Sequence, residues 1–379
     1  MKILEVAPFS AGVCGLWARI HAESQLLAKK HNVYVFSSNI KRGSGKHEIA
    51  DVYEEIDGVK IHRFPARFHI GENTYFWNFE KDALKLKPDV IITHAYRHFY
   101  SSAALKISKK LKIPCFLVTH APFVELKTRG FYLSLLTFLY DKLIGKNMIN
   151  SYDKVLTITK WELPYLLKIG CKKEKIEYSP NGVPDEFFKI KSREKNNDIK
   201  KILFLGRVAP IKDIETLIKA VKLLRDASIN VCVEIVGPIE EEYGKTLRDL
   251  IREYNVTNIQ FLGPVYDLKT KINIIDTADV FVLPSKREAM PQALIEAMAR
   301  GKIIIASKTL GSAEIIEDGK NGFLFDIGNV KQLSEKVAYI LKNYNKLKNI
   351  KKEAIKTSKQ FAWSALIKKI EDLVVSMGT

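Results

Sequence analysis

Short apolar runs alternate with stretches of helical periodicity along almost the whole chain, and that alternation limits the fold more than any other feature. "KILEVAP" leads through a loop, "FSAGVCG", into the helical pattern "LWARIHAESQLLAKK". Further apolar runs follow at "NVYVFSS", "VKIHRFP", "DVIITHA", "PCFLVTH", "KVLTITK" and "KIEYSPNG", with helical segments such as "SSAALKISKKLK" between several of them. A polar stretch without periodicity, "KIKSREKNNDIK" at 189–200, interrupts the pattern and reads as a linker or surface excursion. The alternation then restarts with "KILFLGR", "DIETLIKAVKLLRD", "VCVEIVG", "IQFLG", "VFVLPS", "KIIIAS" and "GFLFD". Apolar runs of strand length separated by helices predict an α/β fold with parallel, doubly wound sheets. A chain of 379 residues suits two such domains. Sheets of this class take ligands at the carboxyl ends of their strands, so a central cleft faced by both domains is the expected site.

Composition narrows the function classes. Hydrophobic residues make up 46% and charged residues 27%, as in soluble globular proteins. Cys14, Cys115, Cys171 and Cys232 lie far apart without C-x-x-C spacing, which suits reduced thiols and a cytoplasmic setting. "ILEVAPF" reads as a first strand rather than a signal peptide. No apolar run approaches the roughly 18 residues of a membrane span. The net charge of +18 points to anionic partners. Zinc-finger spacing, RNA-binding aromatic signatures and basic-zipper heptads are lacking, so the charge is read as a solvated lysine-rich surface and no nucleic-acid partner is expected.

The chemistry sits where strands end. In "LFLGRVAPIKD", Arg207 and Lys212 follow a strand and precede a helix; two cations beside a helix N-terminus suit a phosphate or diphosphate, and exposed loop cations are the equal alternative. In "SAGVCGLW", Gly12 and Gly15 would let backbone approach a phosphate, although the full G-x-G-x-x-G is missing. The segment "SKREAMPQALIEAMARG" carries Glu288 in a loop after a strand and Glu296 in the helix that follows. A carboxylate is a good acceptor for the vicinal hydroxyls of a ribose or hexose. Ser285-x-x-Glu288 also reads as a helix capping box, which would account for Glu288. It leaves Glu296 unexplained among apolar neighbours, where an unpaired acid is costly.

These residues resemble the retaining nucleotide-sugar glycosyltransferases of the two-Rossmann-domain GT-B type that carry an E-x7-E motif. The resemblance runs through "SPNGVPDEFF", "FLGRVAPIKDIETLIKA", "VEIVGPIEEEYGKTLRDLI", "IQFLGPV", "ADVFVLPSKREAMPQALIEAMARGKIIIAS", "DGKNGFLFD" and "FAWSALIKKIEDL", in the family's order. It implies an acceptor-side domain over 1–185, with a helix at 362–379 packing back on it, and a donor-binding domain over 186–361. It implies that Arg207 and Lys212 clamp the donor diphosphate, Glu296 binds the nucleotide ribose, Glu288 binds hydroxyls of the transferred sugar, and Gly15 faces the distal phosphate. His94 and His120 match histidines at strand ends near where sugar and acceptor meet; His120 is the preferred catalytic candidate, and His94 fits a satisfied histidine beside the sheet equally well. Two positions depart from the family: Asp213 stands where a glycine follows the lysine, and Pro291 removes a backbone donor. No D-x-D occurs, so no metal and no cofactor are expected, with UDP the default donor nucleotide. Arg207, Lys212 and a helix end would then stabilise the leaving diphosphate. A leaving-phosphate oxygen would take the acceptor's proton, and no carboxylate nucleophile is assigned. The expected partners are a nucleotide-sugar donor and a glycan or lipid-linked acceptor. An epimerase-like enzyme or glycan phosphorylase on the same fold, and a non-catalytic polyanion-binding protein, are the alternatives.

Residues 101–150 hold eight lysines and arginines (Lys106, Lys109, Lys110, Lys112, Lys127, Arg129, Lys142 and Lys146) around "GFYLSLLTFLYDKLIGK". A basic, aromatic, amphipathic helix suits an anionic membrane surface. The alternative is that Phe131, Leu133, Leu136 and Tyr140 pack against the sheet. The first reading predicts peripheral attachment at the inner face of the cell membrane.

Overall fold

The computed structural model describes residues 1–12, 15–41, 49–70, 74–123, 131–189 and 199–378. Residues 190–198 of the linker read at 189–200, and Glu125, Lys127 and Arg129, lie outside the described residues. The chain divides into two compact units, Met1–Gly182 with Trp363–Thr379, and Val183–Ala362. The division thus falls three residues before the 185/186 boundary read from the sequence.

Among the described residues the first unit carries ten strands: β1 Lys2–Phe9, β2 Asn32–Ser38, β3 Tyr53–Ile56, β4 Val59–Phe64, β5 Phe68–Ile70, β6 Thr74–Phe76, β7 Val90–His94, β8 Cys115–Val118, β9 Lys154–Thr157 and β10 Ile176–Tyr178. Eight of them form one sheet in the order β10-β9-β8-β7-β1-β2-β4-β3, while β5 and β6 pair apart as a hairpin. Neighbours in the large sheet are parallel except β3 and β4. That antiparallel edge is an addition to the parallel sheet read from the sequence. Asp57 and Gly58 join the two strands with φ of 52° and 79°. An Asp-Gly pair tolerates two positive φ values and so makes the tight hairpin turn. Burial explains the apolar runs. Every residue of β1 after Lys2 is buried, as are all of β7 and β8, because helices cover both faces of a parallel sheet.

The helix Trp363–Gly378 belongs to the first unit and packs on the helix Gly15–Leu27. Glu371 accepts hydrogen bonds from Lys30 (2.9 Å) and His31 (3.3 Å). Trp363 lies on Gly182 so closely that a Cβ there would overlap the indole ring. Only glycine admits that approach.

In the second unit β11 Lys200–Leu205, β12 Val231–Val236, β13 Ile259–Gly263, β14 Val280–Leu283, β15 Ile303–Ser307 and β16 Phe323–Phe325 form a wholly parallel sheet ordered β13-β12-β11-β14-β15-β16. This is the doubly wound order, with winding reversed between β11 and β14. The helix Ile214–Asp226 buries Ile214, Leu217, Ile218, Val221 and Leu224, the i, i+3, i+4 stripe its sequence predicts.

Candidate active site

The reversal between β11 and β14 places two loops side by side in the second unit, at the point where sheets of this class bind ligands. One runs from Gly206 to the turn Pro210–Lys212; the other runs from Pro284 to Pro291. The backbone N–H of Lys286 donates to the carbonyl of Ile211 (2.9 Å), which joins them. Lys212 Nζ donates to Glu288 Oε1 at 2.6 Å, and Ser285 Oγ donates to the same oxygen at 2.6 Å. The Ser285–Glu288 bond exists, but no helix starts there. The next helix is Gln292–Ala299, with Pro291 at its N-cap position. The capping-box explanation of Glu288 therefore fails, and its carboxylate faces Lys212 instead. Gly311 holds this loop from behind: its N–H donates to the Glu288 carbonyl (3.2 Å), and a Cβ would strike the Glu288 and Ala289 carbonyls.

Asp213 resolves one departure from the family pattern. It adopts φ 51°, ψ 46°, the left-handed conformation that a glycine would supply. Its carboxylate accepts from Thr216 Oγ1 at 2.8 Å and lies 3.4 Å from Lys286 Nζ. The turn after Lys212 thus takes a glycine-like shape, held by a side chain.

Arg207 is placed differently from Lys212. Its guanidinium donates to Glu240 Oε1 at 2.8 Å, and its side chain is 52% exposed. Exposed pairs of this kind contribute little, so Arg207 exchanges partners cheaply. The structure joins Lys212 with Glu288 and turns Arg207, on the same loop, to Glu240 instead.

Glu296 lies in the helix Gln292–Ala299, whose Leu294, Ile295, Ala297 and Met298 are fully buried. Its own side chain is 7% exposed and pairs with Lys271 from the helix Leu268–Thr277, Nζ to Oε1 2.6 Å. Lys271 is the partner that sequence reasoning missed; one of two lysines in "DLKTKIN" carries no local signal. Glu296 Oε2 is buried without a hydrogen-bond partner among the described residues. A buried carboxylate oxygen left without a hydrogen bond is costly.

The first unit has its own set of strand-end groups. Gly15 is the exposed first residue of the helix Gly15–Leu27, and the two residues before it lie outside the described residues. His94, the last residue of β7, is fully buried. Both its ring nitrogens are engaged: Nε2 with Glu5 Oε2 at 2.5 Å and Nδ1 with His120 Nε2 at 2.9 Å. His94 is therefore the satisfied histidine beside the sheet, with no ring nitrogen left to hydrogen-bond a ligand. His120 follows β8 with φ 55° and is partly exposed. Burial pushes the His94 ring down to about 3 and holds His120 well below the usual histidine range, so both rings are neutral at physiological pH. Glu5 was missed because it looks like one acid in an apolar strand. Burial pushes its carboxyl up to about 8, against the attraction of Arg19.

The family described as "Glycosyl transferases group 1" matches residues 185–357, and "Glycosyltransferase Family 4" matches residues 15–187. The uncharacterized glycosyltransferase MJ1069 of Methanocaldococcus jannaschii is 27% identical over 375 residues, covering 91% of this chain and 90% of its own length. An N,N'-diacetylbacillosaminyl-diphospho-undecaprenol alpha-1,3-N-acetylgalactosaminyltransferase of Campylobacter jejuni is 24% identical over 62% of each chain. Among solved structures, Anabaena HepE in complex with UDP and glucose superposes with a TM-score of 0.77 at 17% identity, over 99% of this chain and all of that one. That level of identity carries the fold and nothing finer. With the two family matches adjoining over residues 15–357 and relatives that are glycosyltransferases, the chain belongs to the group 1 glycosyltransferases of the GT-B fold and is an enzyme that transfers glycosyl groups.

Proposed function

We propose that this glycosyltransferase moves a sugar from a nucleoside diphosphate donor to a glycan or lipid-linked acceptor, with retention of configuration and without a metal. The observation that carries the reading is the pair of acids at the β11/β14 reversal: Glu288 set against Lys212, and Glu296 with one buried oxygen left unmatched. Glu296 Oε2 accepts from a ribose hydroxyl. Glu288, held by Ser285 and Lys212, accepts from hydroxyls of the transferred sugar. Arg207 and Lys212 stabilise the charge that grows on the leaving diphosphate, the term on which glycosyl transfer from a phosphate most depends. Gly15 offers a backbone N–H to a phosphate. His120 serves the sugar and acceptor hydroxyls. The acceptor's proton passes to the departing phosphate oxygen as the sugar–phosphate bond breaks and the new glycosidic bond forms on the same face. UDP is the expected nucleotide, in line with the UDP in the HepE complexes.

A thermal-shift screen of nucleoside diphosphates and their sugars tests the donor side, since a ligand that binds only the folded state raises its stability. UDP is expected to raise the melting midpoint. A flat response to every nucleoside diphosphate removes the reading. Turnover is expected to survive saturating chelator, because the cations are side chains. Loss on chelation that added Mn²⁺ or Mg²⁺ restores would contradict the metal-free mechanism.

The acceptor side draws on the helix Phe131–Tyr140 and the π-helical segment Asp141–Gly145 that continues it. Tyr140 packs on Tyr96 and Thr137 is buried, while Leu136 (62%), Phe138 (60%) and Leu143 (70%) face solvent. Leu136 thus does not pack against the sheet, and the side chains of Phe131 and Leu133 lie outside the described ones. Lys142 and Lys146 stand exposed in the same segment. Exposed apolar side chains beside lysines suit the surface of an anionic leaflet, where a lipid-linked acceptor is presented. No helix among the described residues is long and apolar enough to cross a membrane. Co-sedimentation with vesicles is expected to rise with anionic lipid and fall with salt. Equal, negligible binding to anionic and neutral vesicles at low salt would favour a soluble acceptor.

A further inference from the structure

Three titratable side chains, two of them fully buried, form a continuous line in the first unit, and only the last meets solvent. Their order follows from sheet register. Glu5 on β1 stands opposite Ile92 on β7, so His94, two residues on, projects from the same face. His94 stands opposite Val118 at the end of β8, and His120 again lies two residues on. The line therefore climbs diagonally from inside the sheet to its carboxyl edge. Glu5 and His94 are fully buried, and His120 is partly exposed.

The helix Gly15–Leu27 presents Arg19 and Glu23 to this line, both fully buried and 3.2 Å apart. Arg19 also donates to the Ser179 carbonyl (2.8 Å) and to Asn181 Oδ1 (3.1 Å). His98, just ahead of the helix Phe99–Leu111, acts on His120. From β2 the neighbour of Glu5 is Val35, which carries no charge. One guanidinium thus faces two carboxyl groups in a water-excluded setting, and charge balance leaves one of the two neutral. Burial raises both carboxyls; Arg19, 3.2 Å from Glu23 and its hydrogen-bonding neighbour, holds Glu23 down more directly than Glu5, and burial pushes Glu5 up to about 8.

The two hydrogen bonds admit two proton arrangements. With Glu5 protonated, its O–H donates to His94 Nε2. His94 Nδ1–H then donates to His120 Nε2, and His120 carries its own proton on Nδ1. With Glu5 ionised, His94 Nε2–H donates to Glu5 and His120 Nε2–H donates to His94 Nδ1, so His120 Nδ1 presents a lone pair. The arrangements differ by one proton. When it leaves His120 Nδ1, the His94 Nδ1 proton moves to His120 and the Glu5 proton moves to His94.

We propose that Glu5 is a positioning residue that sets, through His94, whether His120 meets its substrate as a hydrogen-bond donor or as an acceptor. The inference rests on His120 acting in glycosyl transfer as described above. In the neutral pH range His120 Nδ1 is the donor, and it grips an electronegative oxygen of the sugar or phosphate. As Glu5 ionises, that donor disappears without any ring becoming charged. A tautomer exchange of this kind separates His120 from an ordinary titrating histidine, whose change falls near pH 6.5.

Ring nitrogen ¹⁵N spectra of the full-length enzyme and the pH dependence of its turnover test the proposal. In the wild type the His120 proton is expected on Nδ1 at pH 7 and on Nε2 at pH 9.5, with turnover falling about tenfold or more, the scale of one lost acid–base contact. In Glu5→Gln the amide donates to His94 Nε2 and cannot ionise, so the ratio of turnover at pH 7 to that at pH 9.5 is expected to be several-fold smaller than in the wild type. Equal ratios in the two proteins, or a wild-type His120 that keeps its Nδ1 proton at pH 9.5, would overturn the proposal. Should Glu5→Gln fail to fold, the wild-type spectra decide alone. A separate outcome reports on the underlying reading: full turnover in His120→Ala removes His120 from the reaction, whatever its tautomer does.

Discussion

Lys212→Ala is expected to lower glycosyl-transfer turnover by about 10²-fold or more, the scale for removing one preorganised group that meets charge developing in a transition state. The geometry gives the reason. Lys212 Nζ is fixed 2.6 Å from Glu288 Oε1, at the end of a turn closed by the left-handed Asp213. The lysine therefore need not reorganise as the diphosphate departs. Its removal also leaves Glu288 with Ser285 Oγ as its described partner on Oε1. Part of the loss then comes from an acid repelling the leaving group rather than from a missing cation. Lys212→Met/Glu288→Gln separates the two contributions, because repulsion is absent from that pair. The folding midpoint is expected to move little, since the lysine side chain retains 20% exposure. A Lys212→Ala enzyme with near-normal turnover would take Lys212 out of the mechanism.

The second large effect belongs to Glu296. Glu296→Ala is expected to weaken nucleoside diphosphate binding by about 10- to 100-fold, since a hydrogen bond to a charged group is worth about 1.5–3 kcal/mol. Calorimetric titration reads this directly, without turnover. The substitution also strips Lys271 of its partner, and that cation lies 27% exposed. Freed of Glu296, it can attract a phosphate non-specifically and mask part of the loss. Glu296→Gln keeps the side-chain volume and an acceptor oxygen while removing the charge, and is expected to fall between the wild type and the alanine variant. Wild-type affinity in Glu296→Ala would end the ribose assignment.

Two local patterns in the sequence were put to a different use once folded. Ser285-x-x-Glu288 has the spacing of a capping box, yet Pro291 delays the helix to Gln292 and the acid turns to Lys212. Leu136 sits at a helical spacing suited to packing, yet 62% of it faces solvent. At Glu288 a proline three residues on and a lysine 76 residues away in the chain decided the use of the acid. Asp213 shows the reverse. It stands where the family pattern has glycine, and it occupies the left-handed region that an aspartate can adopt.

The sequence by itself determined the kinds of element, their order, and the ends of strands at which chemistry gathers. These follow from periodicities of two and 3.6 residues and from glycine, proline and aspartate at turns, all of which act within a few residues of one another. It determined as well that Lys212, Glu288 and Glu296 follow strands of the second unit. Only the tertiary structure decided which group meets which. Lys212 and Glu288 are 76 residues apart in the chain, and Glu5 and His94 are 89 apart. Their meeting depends on which strands become neighbours, β11 with β14 and β1 with β7. Strand order is set by how whole layers bury their apolar faces, and a residue's immediate neighbours carry no record of it. The same burial moved the Glu5 carboxyl upward and kept both histidine rings neutral, because desolvation is a property of the surrounding packing and not of the residue that titrates.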